Sequence, residues 1–396
     1  MGPEEPIASP QTQQQQKYNN RAPSTRSLRT SMANATRKRR RRLGRSRKAL
    51  RHQCLGLAAH MGGRGTHGFV RRANGRSGTG LFAARALPRG FAIECPARYL
   101  LSERRAAYTP FGRRLLRRMS AAGAAPLFGR DLLYVTLADA RRDARSPFHA
   151  YASALPYPGV DPGSWAPAGA DALLGGTPLL AAVRAGDEAL TALAAGVRPF
   201  APHVCGDLAW ARGMLWSRGF EAGFAGGAST TAYVPFLDFF NHSEMATVKI
   251  SRAGGTAPLR FANAAPLAEG DEAVISYGAG RSNGELLLAY GFAFPGNPHD
   301  VCNLIAGRAA DVANCALRAD GVLPPALWRA FGGACPPARD TVERVATALQ
   351  EGFLALQHHD RTAAVPGNAA AYATIYRDGQ RAILHAAIGT CIKMLT

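Results

Sequence analysis

Between Val234 and Ser243 the chain reads Val-Pro-Phe-Leu-Asp-Phe-Phe-Asn-His-Ser, which sets Asp238, Asn241 and His242 among apolar residues, with Glu244 close behind. An imidazole flanked by two carboxylates is a cluster that can hold a metal ion. No second histidine stands at ligand spacing, so the group is read as metal-free and Asp238 as a structural hydrogen-bond acceptor. A second candidate is Gly75-x-x-Gly78-x-Gly80, which superficially matches a phosphate loop or a dinucleotide fingerprint. It follows a polar, basic stretch and precedes a short strand with Pro88, the wrong context on both sides. The seven cysteines are scattered, with no CxxC pair, and support neither a zinc cluster nor a disulfide framework. Trp210 and Met214 fall on the buried face of a helix, and Arg218 lies one turn further along that face.

The elements that must position these residues follow from periodicity and turn signals. Short strands are expected at Phe69-Val70, Gly78 to Ala83 and Phe91 to Ile93, before Pro96. Helical spacing begins at Ser102 and Glu103, continues through Leu115, Leu116 and Met119, and recurs at Asp131 to Arg142, twice between Asp171 and Ala195, and at Asp207 to Arg218. A proline-rich break from Ser146 to Pro167 interrupts these helices. Strand character returns at Thr231 to Val234, Thr247 to Ser251, Leu259 to Asn263 and Ala273 to Tyr277, and Ser282 caps a helix that carries Glu285 to Leu288. Beyond Asn303 the pattern is helical, notably over Asp340 to Gln357 and Ala369 to Ile388. No internal repeat is present.

The 396 residues are 47% hydrophobic, enough for a sizeable core. Residues 1 to 72 hold seventeen Lys and Arg against Glu4 and Glu5, a balance of +15 within the whole-chain +21. The overall charge therefore describes a Gln-, Ser- and Arg-rich tail, expected to be disordered over 1–66. Its Arg37 to Arg42 core is compatible with a nuclear import signal, a phosphate-binding arm, a transit peptide or a plain solvated tail. Nucleic acid is a partner only through the 37–48 run. Nucleus or cytoplasm is the expected compartment, or a plastid or other organelle if the tail is a transit peptide. No apolar run is long enough for a membrane span and no secretory signal is seen, so a soluble protein is expected.

Taken in order and spacing, Val234 to Ser243, Ile275-Ser276-Tyr277-Gly278 and Ser282-Asn283-x-Glu285-Leu286-Leu287-Leu288-x-Tyr290-Gly291-Phe292 resemble the SET-domain protein methyltransferases. Within that superfamily the chain is similar to the plant Rubisco large-subunit lysine methyltransferase group at three further places. These are Gly78 to Arg85 leading to Glu94-Cys95-Pro96; Ser146 to Pro156 followed by Trp210 to Phe220; and Arg377-Asp378-Gly379-Gln380-Arg381-x-Ile383-Leu384. The resemblance covers almost everything from Gly68 onward. It implies an α+β chain: a SET-domain β-fold over 67–300 with a knot-like C-terminal crossing, a large helical insertion at about 102–230, and an α-helical substrate-binding-like domain over 301–396, shorter than in the relatives.

The resemblance also implies S-adenosyl-L-methionine as cofactor and a lysine of a non-histone protein as substrate, since the cysteine clusters of chromatin enzymes are missing. A monomer without membrane attachment is expected. Asn241, His242, Arg218, Glu94, Gly78, Gly80 and Phe292 are the implied cofactor residues. Arg218 meets the cofactor carboxylate as a planar fork, and the glycines permit close backbone approach. Tyr277 is the implied catalytic residue, orienting an amine that must first lose its proton. Phe220 is the implied substrate contact and suits an alkyl ammonium stem, where relatives that modify histidine resemble one another in carrying Asn. Histidine methylation and a non-catalytic interaction protein of SET fold with a nucleic-acid-binding tail are the alternative readings.

Overall fold

Short strands of two to six residues are combined with helices in a computed structural model of the chain. It describes residues 68–396 except 75–77, 96–98, 158, 224–228, 252–258, 304–314, 358–364 and 366. The basic tail, Gly75 and Pro96 lie outside the described residues. All described residues belong to one compact unit, Gln53–Thr396.

Three small sheets make up the β part. Strands β1 (Phe69–Asn74), β2 (Gly78–Ala83), β7 (Asn241–His242) and β10 (Glu272–Ile275) form a four-stranded sheet in the order β1-β2-β10-β7. Strands β3 (Ala92–Cys95), β8 (Val248–Ser251) and β9 (Leu259–Asn263) form a second, and β4 (Leu101–Ser102), β5 (Gly219–Gly223) and β6 (Ser229–Tyr233) a third. In the first sheet β7 runs parallel to β10, with Asn241 opposite Val274 and His242 opposite Ile275. The aromatic core beneath is built from Phe69, Phe240 and Phe261; Phe240 stacks on Phe261 at 5.6 Å and meets Phe69 edge-on at 5.4 Å.

Between β4 and β5 the chain is helical: α1 (Glu103–Tyr108), α2 (Pro110–Ala121), α3 (Gly129–Arg142), α4 (His149–Ala154), α5 (Pro167–Leu174), α6 (Pro178–Val197) and α7 (Leu208–Arg218). The Ser102 hydroxyl accepts from the Arg105 amide at 3.2 Å, the cap expected there. The proline-rich stretch is less irregular than its composition predicts, because α4 forms inside it. Phe148, Tyr151 and Ala152 are fully buried, and that burial outweighs the proline signals on either side.

After β10 come α8 (Asn283–Tyr290), α9 (Pro325–Ala330), α10 (Arg339–Ala355) and α11 (Ala369–Leu395), the last running well past Ile388. Helix α11 has two burial regimes. Its C-terminal half puts Ile383, Leu384, Ala387 and Cys391 into a core with α9 and α10. Its N-terminal half puts Ala369, Ala373 and Tyr376 into another core, shared with Leu173, Leu174 and Val183 of the inserted helices and Leu287 of α8. The C-terminal helices are thereby joined through one hydrophobic cluster to the helices that frame the site. No helix among the described residues is long and apolar enough to cross a membrane.

Candidate functional site

Asn241 and His242 occupy the two-residue strand β7, pinned beside β10. The Asn241 amide donates through Nδ2 to Glu272 Oε1 at 2.7 Å. A carboxylate only accepts, so this contact fixes which end of the amide faces Glu272 and leaves its oxygen for a guest. Gly80 stands over this pair on β2. A Cβ there would lie 2.3 Å from Glu272 Oε1 and 2.7 Å from Asn241 Nδ2. Space for this hydrogen bond by itself requires the glycine. Gly80→Ala is expected to cost about 1–3 kcal/mol through overpacking and loss of the bond; urea unfolding measures it, and an unchanged midpoint would show that the pair relaxes freely.

Arg218 closes α7, and its Nη1 donates to the Asp238 backbone carbonyl at 2.9 Å while the guanidinium lies 4.6 Å over the Phe239 ring. The Asp238 carboxylate is 4.0 Å from Nη1 and accepts from the Tyr151 hydroxyl of α4 at 2.5 Å. Asp238 Oδ1 and Arg218 Nε are buried with no partner in the structure. These orphaned atoms mark an arginine that still has donor capacity to offer. Just upstream, buried Phe236 holds φ 73°, ψ −46°, a backbone state that costs on the order of 1–3 kcal/mol and is maintained by the packing of its ring.

Burial pushes the Asp238 carboxyl up from 3.8 to about 6, against the opposing pull of Arg218 and the Tyr151 hydrogen bond. The folded chain therefore holds this proton where the unfolded chain has released it. Its contribution to stability is present below the ordinary carboxyl range and is lost as pH rises through 6. Asp238→Asn removes that loss. Its melting temperature relative to the native chain is expected to rise between pH 5 and pH 7.5, and a pH-independent difference would contradict the assignment.

Tyr277 follows β10, and its backbone N–H donates to His242 Nδ1 at 3.1 Å. That contact makes Nδ1 an acceptor and puts the ring proton on Nε2 of a neutral imidazole, whose pKa burial lowers. The Tyr277 hydroxyl donates to the Phe240 carbonyl at 2.9 Å, and burial holds the phenol well above its ordinary range. It is a hydrogen-bond donor and not a base. Its ring stacks on Tyr290 at 4.5 Å, a partner supplied by the last residue of α8. Helix α8 starts with a full capping box, Ser282 with Glu285, and ends on Gly291 in the left-handed region at φ 75°. Gly291 is doubly constrained, since a Cβ would also lie 2.7 Å from the Val160 carbonyl oxygen. The turn brings Phe292 to 6.0 Å from the His242 ring.

These groups converge on a cavity of about 330 Å³, within the range of small-molecule sites. Arg218, Asn241, His242, Tyr277 and Phe292 all line it. Other expected residues do not. Glu94 is exposed on β3, opposite Arg260 of β9, because strand alternation turns Ile93 and Cys95 inward instead. Gly78 opens β2 opposite Asn74, and from that strand it is Thr79 that reaches the cavity. Phe220 sits opposite Ala232 and packs edge-on against Phe261 at 5.8 Å, on the core side. Tyr290, inside the Ser282 to Phe292 motif, also lines the cavity. Asn368 and Tyr372 of the C-terminal helix also line the cavity, with no signal in the sequence to connect them. No group of three metal-ligating side chains that could hold an ion occurs among the described residues.

A fork of positive charge, a fixed amide, a neutral imidazole and three aromatic rings around one cavity suit a ligand with a carboxylate at one end and a flat ring at the other. No protein-family model matches the sequence, and no curated protein matches it. Among solved structures the chain is similar to the SET domain of LSMT bound to lysine and AdoHcy, with TM-score 0.64 and 18% identity over 87% of this chain and 91% of that chain. It is also similar to Rubisco LSMT bound to AdoMet (TM-score 0.63, 18% identity, 83% of this chain and 88% of that chain). A third structure, Rubisco LSMT bound to sinefungin and monomethyllysine, gives TM-score 0.64 and 19% identity, covering 83% of this chain and 87% of that one. At such identity the likeness is one of fold, and it extends over most of both chains: this is a SET-domain fold resembling that of Rubisco LSMT.

Proposed function

We propose that the chain is an S-adenosyl-L-methionine-dependent protein-lysine N-methyltransferase acting on a non-histone protein. The observation that carries this reading is the convergence of Arg218, Asn241, His242 and Tyr277, drawn from α7, β7 and the segment after β10, on one cavity. Structures of the same fold hold AdoMet, AdoHcy or sinefungin, and several hold lysine or its methylated form. The orphaned Arg218 Nε and the free oxygen of Asn241 suit the amino-acid part of such a cofactor.

When bound, the cofactor supplies a sulfonium methyl open to in-line displacement. The chain's own residues orient and exclude water. Arg218 and Asn241 hold the amino-acid group, His242 flanks the adenine end, and Tyr277 keeps its proton and locks the Phe240 carbonyl in place. A substrate amine sheds its proton through desolvation beside positive charge. The stacked rings of Tyr277 and Tyr290 suit an alkyl stem. A knot-like crossing of the Tyr277 segment under the Asn241-His242 loop, and substrate docking by the C-terminal helices, belong to the same proposal.

Purified protein incubated with methyl-labelled cofactor and a cell extract is expected to label a protein band, with the adduct on lysine by mass spectrometry. An imidazole adduct overturns the lysine assignment. Absence of both labelling and cofactor binding overturns the enzyme reading.

A further inference from the structure

The cavity has a wall that neither the strands nor the inserted helices supply. Asn368, Ala369 and Tyr372, from the first turn of α11, line it together with Val160, Gly291 and Phe292. We propose, on the basis of the methyltransferase reading, that Asn368 and Tyr372 bind the adenosine end of the cofactor, so that the C-terminal helix completes the site.

The chemistry of the cavity changes along the chain. Arg218 and Asp238 provide its charged end, where an amino-acid group belongs. From Tyr277 the rings continue through Tyr290 to Phe292, 6.3 Å further on, where the Gly291 backbone rests against Val160. That aromatic, uncharged end suits a flat heterocycle. Asn368 is adjacent to it in a position where asparagine ordinarily caps a helix, yet it makes no side-chain cap bond and its backbone stands at φ −90°, ψ 13°. The amide is left available. An asparagine amide can bond the N6 and N7 edge of adenine through a donor and an acceptor together. The first amide N–H groups of α11 lack intrahelical partners and add donors for ring nitrogens. Tyr372, one turn on, lines the same wall and adds a ring face for the nucleoside. The wall is rigid because Ala369, Ala373 and Tyr376 belong to one buried cluster with Leu174 and Leu287, and Tyr372 packs against that cluster.

Calorimetry on the full chain separates the ends of the ligand. The probes are S-adenosylhomocysteine, S-inosylhomocysteine, which has oxygen for the N6 amine, and methylthioadenosine, which lacks the amino acid. The native chain should prefer the adenosyl over the inosyl ligand roughly tenfold, the value of one good hydrogen bond. Asn368→Ala should erase that preference, and because Asn368 is exposed and caps nothing, the fold should be unaffected. Tyr372→Ala should weaken S-adenosylhomocysteine and methylthioadenosine by the same factor, whereas Arg218→Ala should weaken only the former. Retained affinity and purine preference in Asn368→Ala overturn the proposal while leaving the methyltransferase reading intact. So does a Tyr372→Ala variant with native ligand affinity and a raised KM for protein substrate, since α11 would then face the substrate. A native chain that binds none of the three overturns the methyltransferase reading, and this proposal with it.

Discussion

Tyr277→Phe is expected to lower the rate of the proposed methyl transfer by about 10²-fold or more, the scale of a small misplacement of reacting groups, with a smaller loss of cofactor affinity. The hydroxyl donates to the Phe240 carbonyl one residue before Asn241, so its removal frees that carbonyl and unsettles the loop bearing both Asn241 and His242. The ring keeps its stack on Tyr290, and the Tyr277 backbone keeps its bond to His242, so the cavity persists. Burial holds the phenol protonated throughout the working range, so its ionisation shapes no limb of the pH profile. On the proposed function, activity of the native chain should rise with pH as the substrate amine loses its proton, and Tyr277→Phe should follow the same curve at a lower level. A variant whose profile loses its alkaline rise would mean that Tyr277 acts as the base. A variant with full activity would remove it from the chemistry.

The largest effect on stability is expected far from the chemistry. Arg377 is fully buried on α11, where its guanidinium meets backbone carbonyls. Its Nη1 donates to the Gly175 carbonyl at 2.5 Å and to that of Leu173 at 3.4 Å, and its Nη2 donates to the Leu356 carbonyl at 2.7 Å. These carbonyls sit at the C-terminal ends of α5 and α10, where helices leave acceptors without partners and carry partial negative charge. One guanidinium fork thus caps two helices and ties them to a third. Arg377→Ala strands those acceptors in the interior and opens a cavity, and a loss of about 4 kcal/mol or more is expected. Arg377→Lys, with a point charge in place of a fork, should lose an intermediate amount. Urea unfolding decides the matter: a loss under about 1 kcal/mol for Arg377→Ala would mean that water replaces the guanidinium.

The same helix explains how the Arg377 to Leu384 motif bears on the site without lining the cavity. Gln380 donates to the Val301 carbonyl at 2.8 Å, and a Cβ on Gly379 would lie 2.6 Å from Asp300 Oδ2. Asp300 in turn accepts from the Asn283 backbone at 3.0 Å, at the first residue of α8. The motif positions α8, which carries Tyr290 and sets up the Gly291 turn to Phe292. Its effect on the site is indirect.

Local signals determined much of this protein. Ser282 with Glu285, Ser102, the apolar alternation of β9 and the helical spacing of α3 and α7 are consequences of short-range sterics and capping, and the order of the Asn241, Tyr277 and Phe292 segments pointed to residues that line one cavity. Tertiary structure alone decided which neighbours of those segments matter. Strand alternation turned Glu94 outward and brought Thr79 to the cavity instead, and the requirement for Gly80 came from a hydrogen bond between residues of two other strands. Asn368 and Tyr372 reach the site because the first turns of α11 are anchored in one buried cluster with α5 and α8. Burial of that kind depends on the shape of the whole core, which no local sequence pattern encodes.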